Sequence, residues 1–235
     1  MDDTAPAEPK KSVAREYLES VVVAVILALF IRTFAVQAFK IPTGSMETNL
    51  LIGDHLLVNK LVYSPSLAPL ESALLGKKPI QRGHIVVFKF PEDPTRDFIK
   101  RVIGLPGETV EVRDKQVFIN GKPIEEPYAH FLEAPLRRDD PEYGLRGESI
   151  RDNWGPQVVP EGNLFVMGDN RDNSRDSRVW GFLPVDQVKG RSLLIYWAHR
   201  ATREEYQNTR PARWVRDTAA ALWNTDWKRS FTLIR

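Results

Sequence analysis

His84-Ile85-Val86-Val87-Phe88-Lys89-Phe90 and, six residues on, Asp97-Phe98-Ile99-Lys100-Arg101-Val102-Ile103 are two short runs dominated by β-branched and aromatic side chains. Runs of this length and composition read as strands, because such side chains pack well on a pleated surface and crowd a helix. The pattern recurs at Thr109–Arg113, Gln116–Ile119, Asn163–Met167 and Ser192–Trp197. Asp114-Lys115 separates two of these segments at hairpin distance, and Asn120-Gly121 supplies a second turn. Six or more short strands punctuated by Gly and Pro predict a mainly β domain, a barrel or a sandwich.

Upstream of the strands the period changes. Val21 to Ile31 is an unbroken apolar run, and admitting Arg32, Thr33 and Gln37 carries it from Ser20 to Phe39. Twenty residues make a helix of about 30 Å, the thickness of a bilayer core. Residues 1–16 then form a short tail, 17–39 a single transmembrane anchor and 40–235 the extracytoplasmic domain. Lys10, Lys11 and Arg15 precede the span, while Lys40 and Arg32 stand at its far end. That bias puts the N-terminus in the cytoplasm and the domain across the membrane. A cleaved secretory signal is the competing reading, and Val36-Gln37-Ala38 has the small residues that processing needs. The length of the span, Arg32 and Pro42 argue for an uncleaved anchor.

Composition limits the rest. The 235 residues carry 33 Lys+Arg against 31 Asp+Glu, a net charge of +2, which lacks the basic excess of a nucleic-acid binder. Zero cysteine removes disulfides, thiolate metal sites and a Cys nucleophile. The four histidines, His55, His84, His130 and His199, show no paired metal spacing. Asp169-Asn170-Arg171-Asp172-Asn173-Ser174 lacks the Gly and Glu of a calcium loop. There is no phosphate loop, so no cofactor is indicated. Residues 62–82 are poor in strand signals, and 122–162 hold six prolines among many charges, which reads as an inserted cap. The last 26 residues contain Trp214, Trp223 and Trp227 with six basic residues, a composition suited to packing on the β core or to lipid contact.

Serine chemistry remains available. Ser45, in Ile41-Pro42-Thr43-Gly44-Ser45-Met46, follows the membrane exit by a few residues, and Gly44 beside it permits close backbone approach. A turn or helix-cap serine would read the same way. A lysine on an apolar strand face can serve as its base, since desolvation lowers an amine's pKa; reaching about 8 from about 10.4 costs about 3 kcal/mol. Lys100 shares a strand face with Phe98 and Val102. Lys89 sits in a similar context, and periodicity alone does not choose between them.

Four blocks resemble bacterial type I signal peptidases, the Ser/Lys leader-peptide proteases, in family order after an N-terminal span. They are Pro42-Thr43-Gly44-Ser45-Met46 with Leu51-Ile52-Gly53-Asp54, Arg82–Phe88, Asp97–Gly107, and Gly168–Arg178 running into Trp180-Gly181. The resemblance implies Ser45 as nucleophile, Lys100 as general base, and the Ser45 amide with the Thr43 hydroxyl as oxyanion donors. It also implies that Ser174 holds the lysine amine in line, that Asp176 and Arg178 brace that loop, and that Ile41, Met46, Leu50 and Ile99 line shallow pockets for small side chains. The substrates would be exported preproteins, cut after Ala-x-Ala-type sequences. Thr48 replaces a proline usual in the family, and His84 an aspartate. A membrane-tethered binding module without activity is the alternative. A self-cleaving Ser/Lys repressor is excluded, because the chain has no Ala-Gly or Cys-Gly bond.

Overall fold

The structure, a computed structural model, describes residues 13–60, 79–132, 149–198 and 225–234. Its N-terminal helix α1, Val13–Phe30, continues through one π-helical turn, Ile31–Ala35. The most apolar 18-residue window of this helix has a mean hydropathy of 2.2, and none of that window is buried against the protein. At about 34 Å, and apolar all round, the helix is long enough to cross a bilayer.

The expected span, Ser20–Phe39, is displaced. The helix starts seven residues earlier, within the stretch read as tail, where Arg15 and Glu19 pair one turn apart at 2.9 Å. It ends at Ala35, because Val36–Lys40 form a strand (β1) paired antiparallel with His55–Asn59 (β2). An apolar run cannot by itself show where helical bonding gives way to inter-strand bonding. The partner strand decides that, and β2 lies fifteen residues further on.

Two antiparallel sheets follow. The larger adds Ile85–Phe90 (β3), Asp93–Gly104 (β4), Asn163–Met167 (β9), Leu183–Pro184 (β10), Val188–Trp197 (β11) and Thr232–Leu233 (β12). Its order is β1-β2-β11-β3-β4-β9-β10, with β12 alongside β11. The smaller contains Thr109–Arg113 (β5), Gln116–Ile119 (β6), Lys122–Pro123 (β7) and Trp154–Val158 (β8), ordered β7-β6-β5-β8. The mainly β expectation holds. Both ends of the expected cap, 122–162, prove to be strands of the smaller sheet, while 133–148 lie outside the described residues. Pro156 hid β8 from the sequence reading, yet β8 is an edge strand, where proline forfeits no ladder bond. Trp214 and Trp223 also lie outside the described residues; Trp227 is exposed.

The β3–β4 pair is the spine of the molecule, with Val86 opposite Lys100 and Phe88 opposite Phe98. One of its faces packs Val86, Phe88 and Val102 on Leu164, Val166 and Leu183. The other packs Ile85, Val87 and Ile99 on Ile41, Met46, Leu50, Leu56 and Val58. Beyond β9, Ile103, Phe165 and Met167 join Val110, Val112 and Val117 of the smaller sheet. Burial at about 25 cal/mol per Å² makes these clusters the main stabilising contribution.

β11 passes from β3 to β2 through an irregularity at Gly190, where any Cβ would collide with the Asn59 carbonyl. Gly190→Ala is therefore expected to destabilise the fold by about 1–3 kcal/mol. Chemical denaturation of the detergent-solubilised protein checks this, and an unchanged midpoint would contradict it.

Candidate active site

Gly44–Met46 form one 3₁₀ turn immediately after β1. Ile41 anchors its approach, donating its N–H to Asp54 O and accepting from Gly53 N–H, both at 2.9 Å. Leu50 N–H closes the far side on Met46 O. Because Ile41, Met46 and Leu50 are wholly buried in the apolar cluster, the turn cannot rotate without opening the core. Asp54 is held by Leu51 N–H and by a two-pronged contact from Arg229, at 3.1 and 2.7 Å. Burial still raises its pKa, and Arg229 only partly offsets this.

This turn presents Ser45 to β4. Lys100 Nζ lies 2.7 Å from Ser45 Oγ and also donates to Ile99 O at 2.9 Å. Lys100 is 3% exposed and Ser45 7%. Burial pushes the Lys100 pKa down to about 8, against the pull of the Asp176 and Asp169 carboxylates and with help from the Arg178 charge. Lys89, the other candidate, is exposed. Of the two lysines, Lys100 is the one whose amine lies at the serine.

The third wall is the loop after β9. Gly168 has no side chain because there is no room for one; a Cβ there would collide with Ser45 O and Ser174 Oγ. Asn170 donates its backbone N–H to Ser45 O at 3.2 Å and its Nδ2 to Gly44 O at 3.1 Å. Ser174 is brought to the site, but no hydrogen bond joins it to Lys100, and its buried Oγ has no partner of good geometry. It lies near enough to Asp176 to help hold that carboxylate charged. Thr43 is exposed, and its hydroxyl caps nothing. Ile41, Met46, Leu50 and Ile99 are brought together as one packed wall, of which Ile99 is the most accessible.

A buried ionic frame holds the loop. Arg178 grips Asp176 through Nε and Nη2 at 2.9 and 2.8 Å, and Gly168 N–H adds a third bond at 3.0 Å. Burial alone would raise the Asp176 pKa; the Arg178 charge and these bonds reverse that and hold it low. Arg101 clasps Asp169 at 2.8 and 2.7 Å while stacking on Tyr128 at 4.0 Å. Arg171 reaches Glu126 at 2.9 and 2.6 Å, and Lys115 reaches Asp172 at 2.9 Å, tying the loop to the smaller sheet. Asn49 joins Asp169 to Tyr128 O. Of this frame the sequence pointed to a bracing role only for Asp176 and Arg178. The crowding of Asp and Arg into 169–178 was the one visible signal. Partners such as Glu126 and Lys115 are distant in sequence and carry none.

The chain matches the family described as "Signal peptidase, peptidase S26" over residues 14–197. The chain belongs to that family. "Signal peptidase I" of Aquifex aeolicus (strain VF5) is 34% identical, covering 89% of this chain and 94% of its own. "Signal peptidase I" of Leptolyngbya laminosa is 38% identical, covering 83% and 88%, and "Signal peptidase I T" of Bacillus subtilis (strain 168) is 35% identical, covering 84% and 93%. Membership of the signal peptidase family makes the chain a serine peptidase that removes signal peptides, and the binding-module alternative falls. With its apolar N-terminal helix, the chain fits a membrane-anchored protein.

The depressed amine has a consequence for stability. Its folded pKa, about 8, lies below the unfolded value near 10.5, so the unfolded chain binds more protons between those pH values and stability rises with pH there. Below pH 8 the full cost, about 3 kcal/mol, is present. Lys100→Met is expected to raise the unfolding temperature at pH 7 and to lose that advantage above pH 10.5. A variant no more stable than the parent at pH 7 would show that the amine is not desolvated.

Proposed function

We propose that Ser45 is the nucleophile and Lys100 its general base in the hydrolysis of preproteins. The observation that carries this reading is the 2.7 Å contact between a buried hydroxyl and a buried amine whose pKa is close to neutrality. In the neutral form the Ser45 hydroxyl donates to the Nζ lone pair. As Oγ attacks the scissile carbonyl, its proton passes to Nζ and then to the departing amine. A water activated by the same amine clears the acyl-enzyme. Ser174 Oγ, buried beside Asp176, has lone pairs available to accept from the ammonium once the Ser45 oxygen has turned to carbon.

The oxyanion would lie between the Ser45 N–H and the Thr43 hydroxyl. The exposure of Thr43 and the lack of a capping bond leave that hydroxyl available. The Asp93–Lys100 half of β4 pairs with β3 alone among the described strands, since β9 reaches only from Arg101 to Gly104. An extended preprotein segment would add its backbone along that free edge, ending at Ser45. Its side chains would meet the packed wall of Ile41, Met46, Leu50 and Ile99, which suits methyl-sized groups and hence Ala-x-Ala sequences. The N-terminus would stand in the cytoplasm and the catalytic domain outside the plasma membrane, with preproteins and phospholipid as partners and no nucleic acid. Val36-Gln37-Ala38, the possible self-processing site, is occupied in pairing with Val58 and its neighbours in β2, which protects it better than Arg32 or Pro42 would.

A leader-peptide cleavage assay tests the proposal. Ser45→Ala and Lys100→Ala are each expected to lower kcat by about four orders of magnitude or more with the fold intact. Near-parental cleavage by Lys100→Ala would overturn the pair. Since the neutral amine is the active form, kcat/KM should rise tenfold per pH unit below about 8 and level off above it. A flat profile from pH 6 to 9 would contradict this. Thr43→Val should lose about 10²-fold in kcat with little change in KM.

A further inference from the structure

The membrane helix enters the catalytic sheet without a linker. Ala35 ends the helix and Val36 begins β1, which is paired from its first residue, Val36 opposite Asn59 and Asn59 opposite Arg191 of β11. The last carbonyls of a helix need donors from outside it. Here Val36 N–H takes Ile31 O, and Lys60 takes two more: its N–H donates to Ala35 O at 2.9 Å and its Nζ to Thr33 O at 2.8 Å. A cation at this end also complements the helix dipole. One residue at the end of β2 therefore fastens the helix to the sheet through both backbone and side chain.

The fastening has a geometric consequence. Ser45 lies ten positions after Ala35, at most about 35 Å of chain. The path between them is fixed by the β1–β2 pairing and by the two bonds that hold Ile41. A flexible tether would let Ser45 visit many heights above the bilayer; this junction allows one. Under the proposed function, which this inference rests on, the substrate is tethered too, by its leader helix in the same membrane. The bond that reaches Ser45 is then chosen by the length of chain between that helix and the site. We infer that Lys60 is a positioning residue that fixes the height of Ser45 above the membrane, and so selects among equivalent cleavage motifs by their distance from the leader helix.

The test uses the full chain in liposomes and a preprotein with two identical cleavage motifs a few residues apart, the products being identified by mass spectrometry. The same enzymes are assayed on a short soluble leader peptide with no membrane helix. The variants are Lys60→Met, Lys60→Arg and a Gly-Ser-Gly insertion between Ala35 and Val36. The parent should give one dominant product. Lys60→Met and the insertion should raise the minor product about tenfold, as a freer tether spreads the local concentration of the site. Their peptide rates should stay within about twofold of the parent, since the junction is remote from the chemistry, and Lys60→Arg should restore the single product. Parental site choice by the insertion variant, with the peptide rate retained, overturns the inference, and it decides the matter should Lys60→Met fold poorly. A parent that does not cleave the soluble peptide removes the proposed function instead.

Discussion

A single dry contact, Lys100 Nζ to Ser45 Oγ, sets the terms for the rest of the molecule. An amine is useful as a base near neutral pH only if its charged form is made expensive, and removing water is the direct means. Every apolar wall around β4 contributes, since Val86 and Val102 shield one face and Ile99 the other. The cost falls on folding stability. The protein gives up part of its margin to keep one group poised, as sites with perturbed groups generally do.

The ionic frame answers a second constraint. Asp176 and Asp169 each raise the Lys100 pKa, so carboxylates so close would undo the desolvation if left unmatched. Each is bound to a guanidinium, Arg178 and Arg101, that satisfies its oxygens and offsets its field. Planar, two-pronged contacts of this sort hold geometry better than a lysine would. The frame also fixes the loop in space. Gly168 brings it against the Ser45 carbonyl, and Glu126 and Lys115 tie it to the smaller sheet. Breaking any one pair would leave an uncompensated buried charge, which costs more than the intact pair contributes. The smaller sheet thus braces the loop.

Much of this was legible in the sequence. The β-rich runs at 84–90 and 97–103 are the strands that carry the site, and the face shared by Phe98, Lys100 and Val102 is the face that forms. Ser45 and Lys100 were reached through motif resemblance rather than periodicity, which could not separate Lys100 from Lys89. What stayed hidden depends on partners far away in the chain. β1 looked helical because its apolar residues continue the membrane run, and only β2 makes it a strand. β8 was obscured by Pro156, which an edge tolerates. The Arg171–Glu126 and Lys115–Asp172 pairs join residues 45 and 57 positions apart, where no local pattern reports them.

The most direct test is to titrate the amine itself. Nitrogen NMR of Lys100 Nζ, assigned with a Lys100→Arg control, should show a midpoint near pH 8 in the folded enzyme. A midpoint near 10.5, the value of a solvated lysine, would mean the amine is charged at working pH and that Ser45 has no base beside it.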